Sequence, residues 1–92
     1  MARVTVSLPS LLDAVTGGAR EVTAEGDRLT GVIDDLLDRM PALRPHLYQE
    51  NGALREHVLC FVNGTNTRWL EGEDPEVRDG DSVLFMQAVT GG

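Results

Sequence analysis

The sequence contains no lysine: its eight basic residues are all arginines, and they face 15 aspartates and glutamates. The formal net charge at pH 7 is therefore −7. Such an acidic surface argues against binding to nucleic acid or to anionic membranes. It leaves two interpretations open, a generally solvated surface or a surface that attracts a basic partner. Without lysine, the protein also has no lysine side chain that could receive an isopeptide bond.

Cysteine and long apolar runs are scarce as well. Because Cys60 is the single cysteine, no disulfide can form within the chain, which suits a reducing cytosol. No apolar run approaches the roughly 18–20 residues of a membrane span. The alternating residues 1–6 lack the apolar segment of a signal peptide. We therefore expect a cytoplasmic protein without a membrane segment.

The chain has 92 residues, of which 41% are apolar, and this predicts one folded domain. Apolar residues alternate with polar ones in the first segment, and 58–62 is apolar on both faces, which is typical of a central strand. Tight-turn signals, such as Asn63-Gly64, separate the later segments. Five strands are predicted, at 4–8, 21–24, 58–62, 67–70 and 82–88.

One segment has the spacing of an amphipathic helix, with six apolar residues on one face. These are Leu29, Val32, Ile33, Leu36, Leu37 and Met40. Asp27 or Thr30 is predicted to cap its start, and Pro41 to end it. One helix covering one face of a mixed sheet is an α+β architecture. We expect the first two strands to form a hairpin and the first and last to be a parallel central pair.

The most informative feature follows the last strand. Residues 89–92 read Val-Thr-Gly-Gly, and Gly91 and Gly92 lack the Cβ that would widen a narrow tip. We divide the chain into a folded domain, 1–88, and a flexible tail, 89–92. The tail could present the carboxylate of Gly92 inside a partner's active site, although loose Gly-rich termini are also common.

Three motifs in this order resemble a known family. They are FVNG at 61–64, VRDGDSV at 77–83 and VTGG at 89–92. Together they resemble the ubiquitin-like sulfur-carrier proteins of the MoaD/ThiS/CysO family, and the insertion at 43–57 looks most like the CysO type. The resemblance implies the β-grasp fold. The chain departs from the family pattern at Gln87, where proline is usual.

The resemblance also implies a chemistry. An E1-like enzyme uses ATP to adenylate the Gly92 carboxylate, a sulfurtransferase of the rhodanese type supplies sulfur, and Gly92 becomes a thiocarboxylate. A biosynthetic enzyme then accepts the sulfur into cysteine or another sulfur-containing metabolite. The carrier itself is expected to be no enzyme, to bind no cofactor and to hold no metal. The pathway it serves is open, because cysteine, molybdopterin, thiamin and a natural product are all possible products.

Partners are expected to bind the folded domain as well as the tail. Val83 and Phe85 are predicted to face the helix, because the larger aromatic fills a core better, so their neighbours in the last strand face outward. Phe61 or Leu59 extends this surface unless a loop covers it. The predicted partner-binding residues are Leu84, Met86, Phe61, Val89 and Thr90, beside the reacting Gly91 and Gly92.

The same residues are also compatible with three other functions. The alternatives are the small subunit of molybdopterin synthase, a ubiquitin-like modifier conjugated through Gly92, and a plain β-grasp binding module. Cys60 is interpreted as a buried small hydrophobe and Trp69 as a packing residue. Asp79 and Asp81 are assigned to a turn, and the two histidines are not spaced as metal ligands.

Overall fold

The first and last strands of the chain, both built from alternating apolar and polar residues, are neighbours in one sheet. The computed structural model describes residues 1–70 and 73–88. Its helices and strands are β1 (Ala2–Ser7), α1 (Asp13–Thr16), β2 (Glu21–Gly26), α2 (Leu29–Arg39), α3 (Arg44–Leu47), β3 (Val58–Val62), β4 (Thr65–Asn66) and β5 (Ser82–Gln87). Short 3₁₀ segments occur at Ser10–Leu12, Pro41–Leu43 and Thr67–Leu70.

The sheet has five strands in the order β2-β1-β5-β3-β4. β1 is antiparallel to β2 and parallel to β5, and β5 is antiparallel to β3. The predicted hairpin and the predicted parallel central pair are both confirmed. A mixed sheet with one main helix across it is an α+β, ubiquitin-like β-grasp fold, as expected.

α2 forms the second layer of the molecule. Of its predicted apolar stripe, Leu29, Val32, Leu36 and Leu37 are buried, and Ile33 and Met40 pack against the core while partly exposed. The stripe meets the inner face of the sheet, where the side chains of Val4, Val6, Val83 and Phe85 are fully buried. The predicted core helix is therefore confirmed. Within the described ranges, no helix is long and apolar enough to cross a bilayer.

The predicted strand at 67–70 is wrong. The tight turn at Asn63 and Gly64 has φ angles of 48° and 86°, which suits a two-residue hairpin turn, but β4 ends at Asn66. The Asn66 side-chain oxygen accepts a hydrogen bond from the backbone N–H of Arg68 (3.0 Å), and this local bond favours a turn over an extended strand. The chain continues as a 3₁₀ helix in which Trp69 is 74% exposed, so Trp69 is not a core packing residue.

The predicted N-terminal cap of α2, Asp27 or Thr30, is also wrong, whereas its predicted end is confirmed, because the helix ends at Arg39 and Pro41 begins the next 3₁₀ segment. The N-cap position is Arg28, which makes no capping bond through its side chain. Asp74 supplies the cap instead: its Oδ1 accepts from the N–H of Thr30 (2.9 Å) and its Oδ2 accepts from the Thr30 hydroxyl (2.7 Å). The segment that follows is held to the same end of the helix, because the N–H of Leu29 donates to the carbonyl of Pro75 (2.9 Å).

Replacing Asp74 by alanine should therefore destabilise the domain without changing its fold. Loss of a side-chain cap costs about 1 kcal/mol, which lowers the melting temperature of a domain of this size by roughly 4–8 °C. Thermal melts followed by circular dichroism measure the change. Glu73→Ala is the matched control, since Glu73 is exposed and does not cap the helix. Equal melting temperatures for the two variants would show that Asp74 does not stabilise α2.

Candidate functional site

The outer face of β5 carries an apolar surface. Val83 and Phe85 point into the core and are 0% exposed, whereas Leu84 and Met86 are 38% and 44% exposed. The assignment of the two faces from the sequence is therefore correct.

The neighbouring strand continues this surface. Phe61 lies directly opposite Leu84 in the register of β3 and β5, and Leu59 lies opposite Met86. Both β3 residues are half-buried, so no loop closes over them completely. Cross-strand apolar pairs of this kind pack against each other. We call these four residues, Leu59, Phe61, Leu84 and Met86, the outer apolar patch.

A fifth apolar residue, Leu11, extends the patch and was not predicted. It lies on the 3₁₀ turn Ser10–Leu12, is 71% exposed, and lines a shallow groove together with Leu84 and Met86. Leu11 and Leu12 are adjacent in the sequence, and a tight turn lets only one of two adjacent side chains point inward. Leu12 takes the buried position. The signal that could have revealed Leu11 is this pair of leucines immediately after Pro9.

An exposed ion pair joins two residues of the connection between β1 and β2, which carries Leu11. Arg20 contacts Asp13 through two bonds, Nε to Oδ1 (2.8 Å) and Nη2 to Oδ2 (2.9 Å). The hydrogen bond from Arg20 lowers the pKa of the Asp13 carboxyl. The pair ties the start of α1 to the residue just before β2. The turn itself is closed by the bond from the N–H of Leu12 to the carbonyl of Pro9 (3.0 Å).

The root of the tail is anchored at the end of β5. Gln87 lies opposite Val58 in the register, and the backbone N–H of Ala88 donates to the carbonyl of His57 (2.7 Å). Proline at position 88 could not make this bond, since it has no N–H. The fixed backbone thus reaches residue 88. The predicted site residues Val89, Thr90, Gly91 and Gly92 lie outside the described residues.

Cys60 and the two histidines form no second reactive site with the other residues that the structure describes. Cys60 is buried, and burial raises the pKa of its thiol to about 11, although a hydrogen bond with Thr67 opposes the shift. The thiol is therefore protonated and a poor nucleophile at neutral pH. His46 and His57 line one groove, but in ranges 1–70 and 73–88 no three His, Cys, Asp or Glu side chains are grouped to hold a metal ion.

The two aspartates around Gly80 have the turn roles that the sequence predicted. Asp81 Oδ2 accepts from the N–H of Arg78 (2.8 Å) and closes the turn before β5. Asp79 Oδ1 accepts from the N–H of Arg3 (2.8 Å) and joins that turn to β1. Both carboxylates are exposed or half-exposed and engaged with backbone amides, which is the chemistry of a turn rather than of an acid–base pair.

Comparison with known proteins agrees with this geometry. The model of the ThiS family matches residues 6–92. The sulfur carrier protein CysO of Mycobacterium tuberculosis is 38% identical over 91 residues, which cover 97% of this chain and 98% of the relative.

Two solved structures have the same fold. A chain of the crystal structure of the Amycolatopsis orientalis BexX/CysO complex superposes with a TM-score of 0.82 at 36% identity, covering 97% of this chain and 99% of that one. The solution structure of small archaeal modifier protein 1 from Methanosarcina acetivorans gives a TM-score of 0.81 at 30% identity, covering 100% and 98%. The chain belongs to the ThiS family.

Proposed function

We propose that this protein is a sulfur carrier that acts through a thiocarboxylate at Gly92. The observation that carries the proposal is the similarity to the ThiS family and to a sulfur carrier protein along nearly the whole chain. The geometry supports it, because an exposed apolar patch ends where the backbone enters the tail. A carrier needs both parts: a body that partners recognise and a thin reactive end.

The chemistry starts from a weak electrophile. A carboxylate is ionised at neutral pH, so sulfide cannot displace its oxygen directly. An adenylating enzyme joins the Gly92 carboxylate to the AMP portion of ATP and releases pyrophosphate. A sulfurtransferase then delivers sulfur from a persulfide, the acyl–oxygen bond to AMP breaks, and AMP leaves. Reduction of the resulting acyl disulfide, with electrons from a thiol, leaves the thiocarboxylate, whose sulfur attacks the small molecule held by an accepting enzyme.

The protein itself supplies presentation rather than catalysis. Four extended residues reach about 13 Å at roughly 3.3 Å per residue. That reach lets Gly92 enter a partner's cleft while residue 88 stays anchored to His57. We therefore assign Gly91 and Gly92 to the reaction, and Val89 and Thr90 to contacts along the cleft. ATP is consumed by the adenylating enzyme, and the carrier needs no cofactor of its own.

Each partner is a protein that must bind the same folded domain, one after another. We propose three: an E1-like adenylating enzyme, a sulfurtransferase of the rhodanese type, and a sulfur-accepting biosynthetic enzyme. The Amycolatopsis orientalis relative forms a complex with BexX, which supports a protein partner for this chain. The outer apolar patch and Leu11 offer a docking surface beside the end of β5, where the chain enters the tail.

A second function is favoured by one observation. The relative from Methanosarcina acetivorans is a small archaeal modifier protein, and it shares this fold at 30% identity. Activation of a terminal carboxylate is common to carriers and modifiers, since both need an acyl group that a nucleophile can attack. The two functions differ in the nucleophile, which is sulfur for a carrier and a lysine amine of another protein for a modifier.

Intact mass spectrometry separates the two functions. The protein is incubated with ATP, its adenylating enzyme and a sulfur source, and the mass is recorded before and after. A carrier gains the mass difference between sulfur and oxygen, and alkylation of the new thiocarboxylate adds one label. A modifier instead appears as a ladder of conjugates on a denaturing gel of cell extract. A ladder without any sulfur gain would replace the carrier proposal by the modifier one.

The docking surface gives a separate prediction. Replacing Leu84, Met86 or Leu11 by glutamate places a charge on a surface that desolvates against the adenylating enzyme. Each change should raise the apparent KM for activation, at a cost on the order of 1–3 kcal/mol. Stability should change little, because all three side chains are exposed. Activation kinetics and a thermal melt are measured on the same preparations.

Thr5→Glu is the matched control for this prediction. Thr5 is exposed on the same outer face of the sheet, next to β5 but in the polar half that β1 and β2 form. The control tests whether an added negative charge alone slows activation. If Leu84→Glu and Thr5→Glu give the same KM, the outer apolar patch is not the docking surface.

A further inference from the structure

The strand β2 forms a long free edge of the sheet. Among the residues that the structure describes it pairs only with β1, and its six residues contrast with the two residues of β4 at the opposite edge. Unpaired N–H and C=O groups along an edge are a template on which another chain can add a strand. The long edge is therefore the one that needs protection.

The hydrogen bonds of β1 identify which groups of β2 face outward. The backbone carbonyl of Arg3 accepts a hydrogen bond from the N–H of Gly80 (3.1 Å), and the N–H of Thr5 donates to the backbone carbonyl of Asp81 (3.1 Å). Both β1 residues therefore direct their backbone groups away from β2. Their register partners are Glu25 and Thr23. In an antiparallel pair, such non-bonded positions on the edge strand direct their N–H and C=O groups away from the sheet.

Two side chains of α2 form hydrogen bonds with these outward-facing backbone groups. The N–H of Glu25 donates to Asp35 Oδ2 (2.8 Å), and Arg39 Nη1 donates to the carbonyl of Thr23 (3.4 Å). The two side chains are joined to each other by an ion pair, Arg39 Nε to Asp35 Oδ1 (3.2 Å). We call this pair, Asp35 and Arg39, the edge latch. It binds one donor and one acceptor that an added strand would require.

We propose that the edge latch keeps β2 from pairing with the β2 strand of a second copy of this chain. Identical edges are self-complementary around a two-fold axis, so a second copy is the natural occupant of a free edge. The outer face of β2 adds a second barrier. In an antiparallel β2–β2 pair centred on Thr23, Glu21 of one copy lies opposite Glu25 of the other, and directly opposed like charges are destabilising.

The inference does not depend on the proposed function, because neither the tail nor the outer apolar patch takes part in it. The test uses the full chain with two pairs of changes combined in one protein, which we call the fourfold variant. Asp35→Ala with Arg39→Ala removes the latch, and Glu21→Gln with Glu25→Gln removes the like charges. Asp34→Ala with Asp38→Ala is the matched control, since both aspartates are exposed on the same helix.

Molecular mass is measured by light scattering over a wide range of protein concentration, together with hydrogen exchange of the Glu25 amide. The wild type and the control should keep the monomer mass at all concentrations. The fourfold variant should approach twice that mass as concentration rises. The backbone amide of residue 25, which is Gln in this variant, should exchange about tenfold faster than in the wild type when the protein is dilute and become protected when it is concentrated.

A fourfold variant that is folded but keeps the monomer mass, with an amide at residue 25 that exchanges equally fast at every concentration, would overturn the proposal. If the fourfold variant does not fold, Arg39→Leu with Glu21→Gln removes the bond to the Thr23 carbonyl, the ion pair with Asp35 and one of the two like charges, and keeps the bond from the Glu25 N–H to Asp35. The same two measurements on that variant decide the question. Dimer formation by the Asp34 and Asp38 control would equally overturn it, because loss of negative charge alone would then explain association.

Discussion

Deleting Gly92 should abolish thiocarboxylate formation completely and leave the melting temperature unchanged. The deletion shifts the terminal carboxylate to Gly91, one residue short of the position at which the adenylating enzyme reaches it. Gly91→Val should have the same effect for a different reason, because its branched side chain clashes in a cleft shaped for glycine. The fold should persist, since the described sheet ends at Gln87 and the described core at Phe85. Intact mass after activation and a thermal melt provide the two readouts.

Two further variants make this result interpretable. Gly91→Ala adds a single methyl group and should give a partial loss, between the wild type and Gly91→Val. Ala88→Val adds a comparable side chain just before the tail, at an exposed position whose N–H still bonds to His57, and should be activated almost normally. Activation of the Gly92 deletion at the normal rate would mean that the chain does not react through this residue.

Features with a local cause could be predicted from the sequence. The alternation in β5 assigns Leu84 to one face and Phe85 to the other, because side chains of a strand alternate at every residue. The stripe in α2 has an equally local cause in the helical repeat. Together with the order of the strands, these two patterns are enough to place the outer apolar patch opposite the helix.

Features that depend on distant parts of the chain could not be predicted in this way. The cap of α2 comes from Asp74, which is 44 residues from Thr30 in the sequence. Asp27 and Thr30 are nearer in the sequence and suit the cap position, and only the folded chain shows that Asp74 makes the capping bonds. Leu11 is a similar case, because its exposure results from how the turn packs beside β5.

The short segment at 67–70 shows a competition that composition does not reveal. Thr67 and Trp69 favour a strand, but the bond from the N–H of Arg68 to the side chain of Asn66 favours a turn instead. The edge latch escaped prediction for the same general reason. Asp35 and Arg39 are ordinary charged residues of a solvent-facing helix surface until the register of β2 brings two backbone groups to them.

Replacing Leu36 by aspartate should unfold the domain. Leu36 is among the largest fully buried side chains and lies in the middle of the stripe of α2 that faces the sheet. The core that surrounds it contains no buried polar or charged side chain in the described part of the chain, so no partner could compensate the new carboxylate. Lost packing and an unpaired buried charge together cost several kcal/mol. A domain of this size has a total stability of roughly 5–15 kcal/mol.

The same substitution at an exposed leucine isolates the cause. Leu84→Asp introduces an identical side chain on the outer face of β5, where water can solvate it, and should keep a cooperative melt close to that of the wild type. Leu36→Ala, which leaves a cavity but no charge, should lose about 2–5 kcal/mol and remain folded. Urea unfolding curves followed by circular dichroism order the three variants. If Leu36→Asp melted cooperatively near the wild-type temperature, α2 would not be the layer that closes the core, and the burial of its stripe would not be what stabilises the fold.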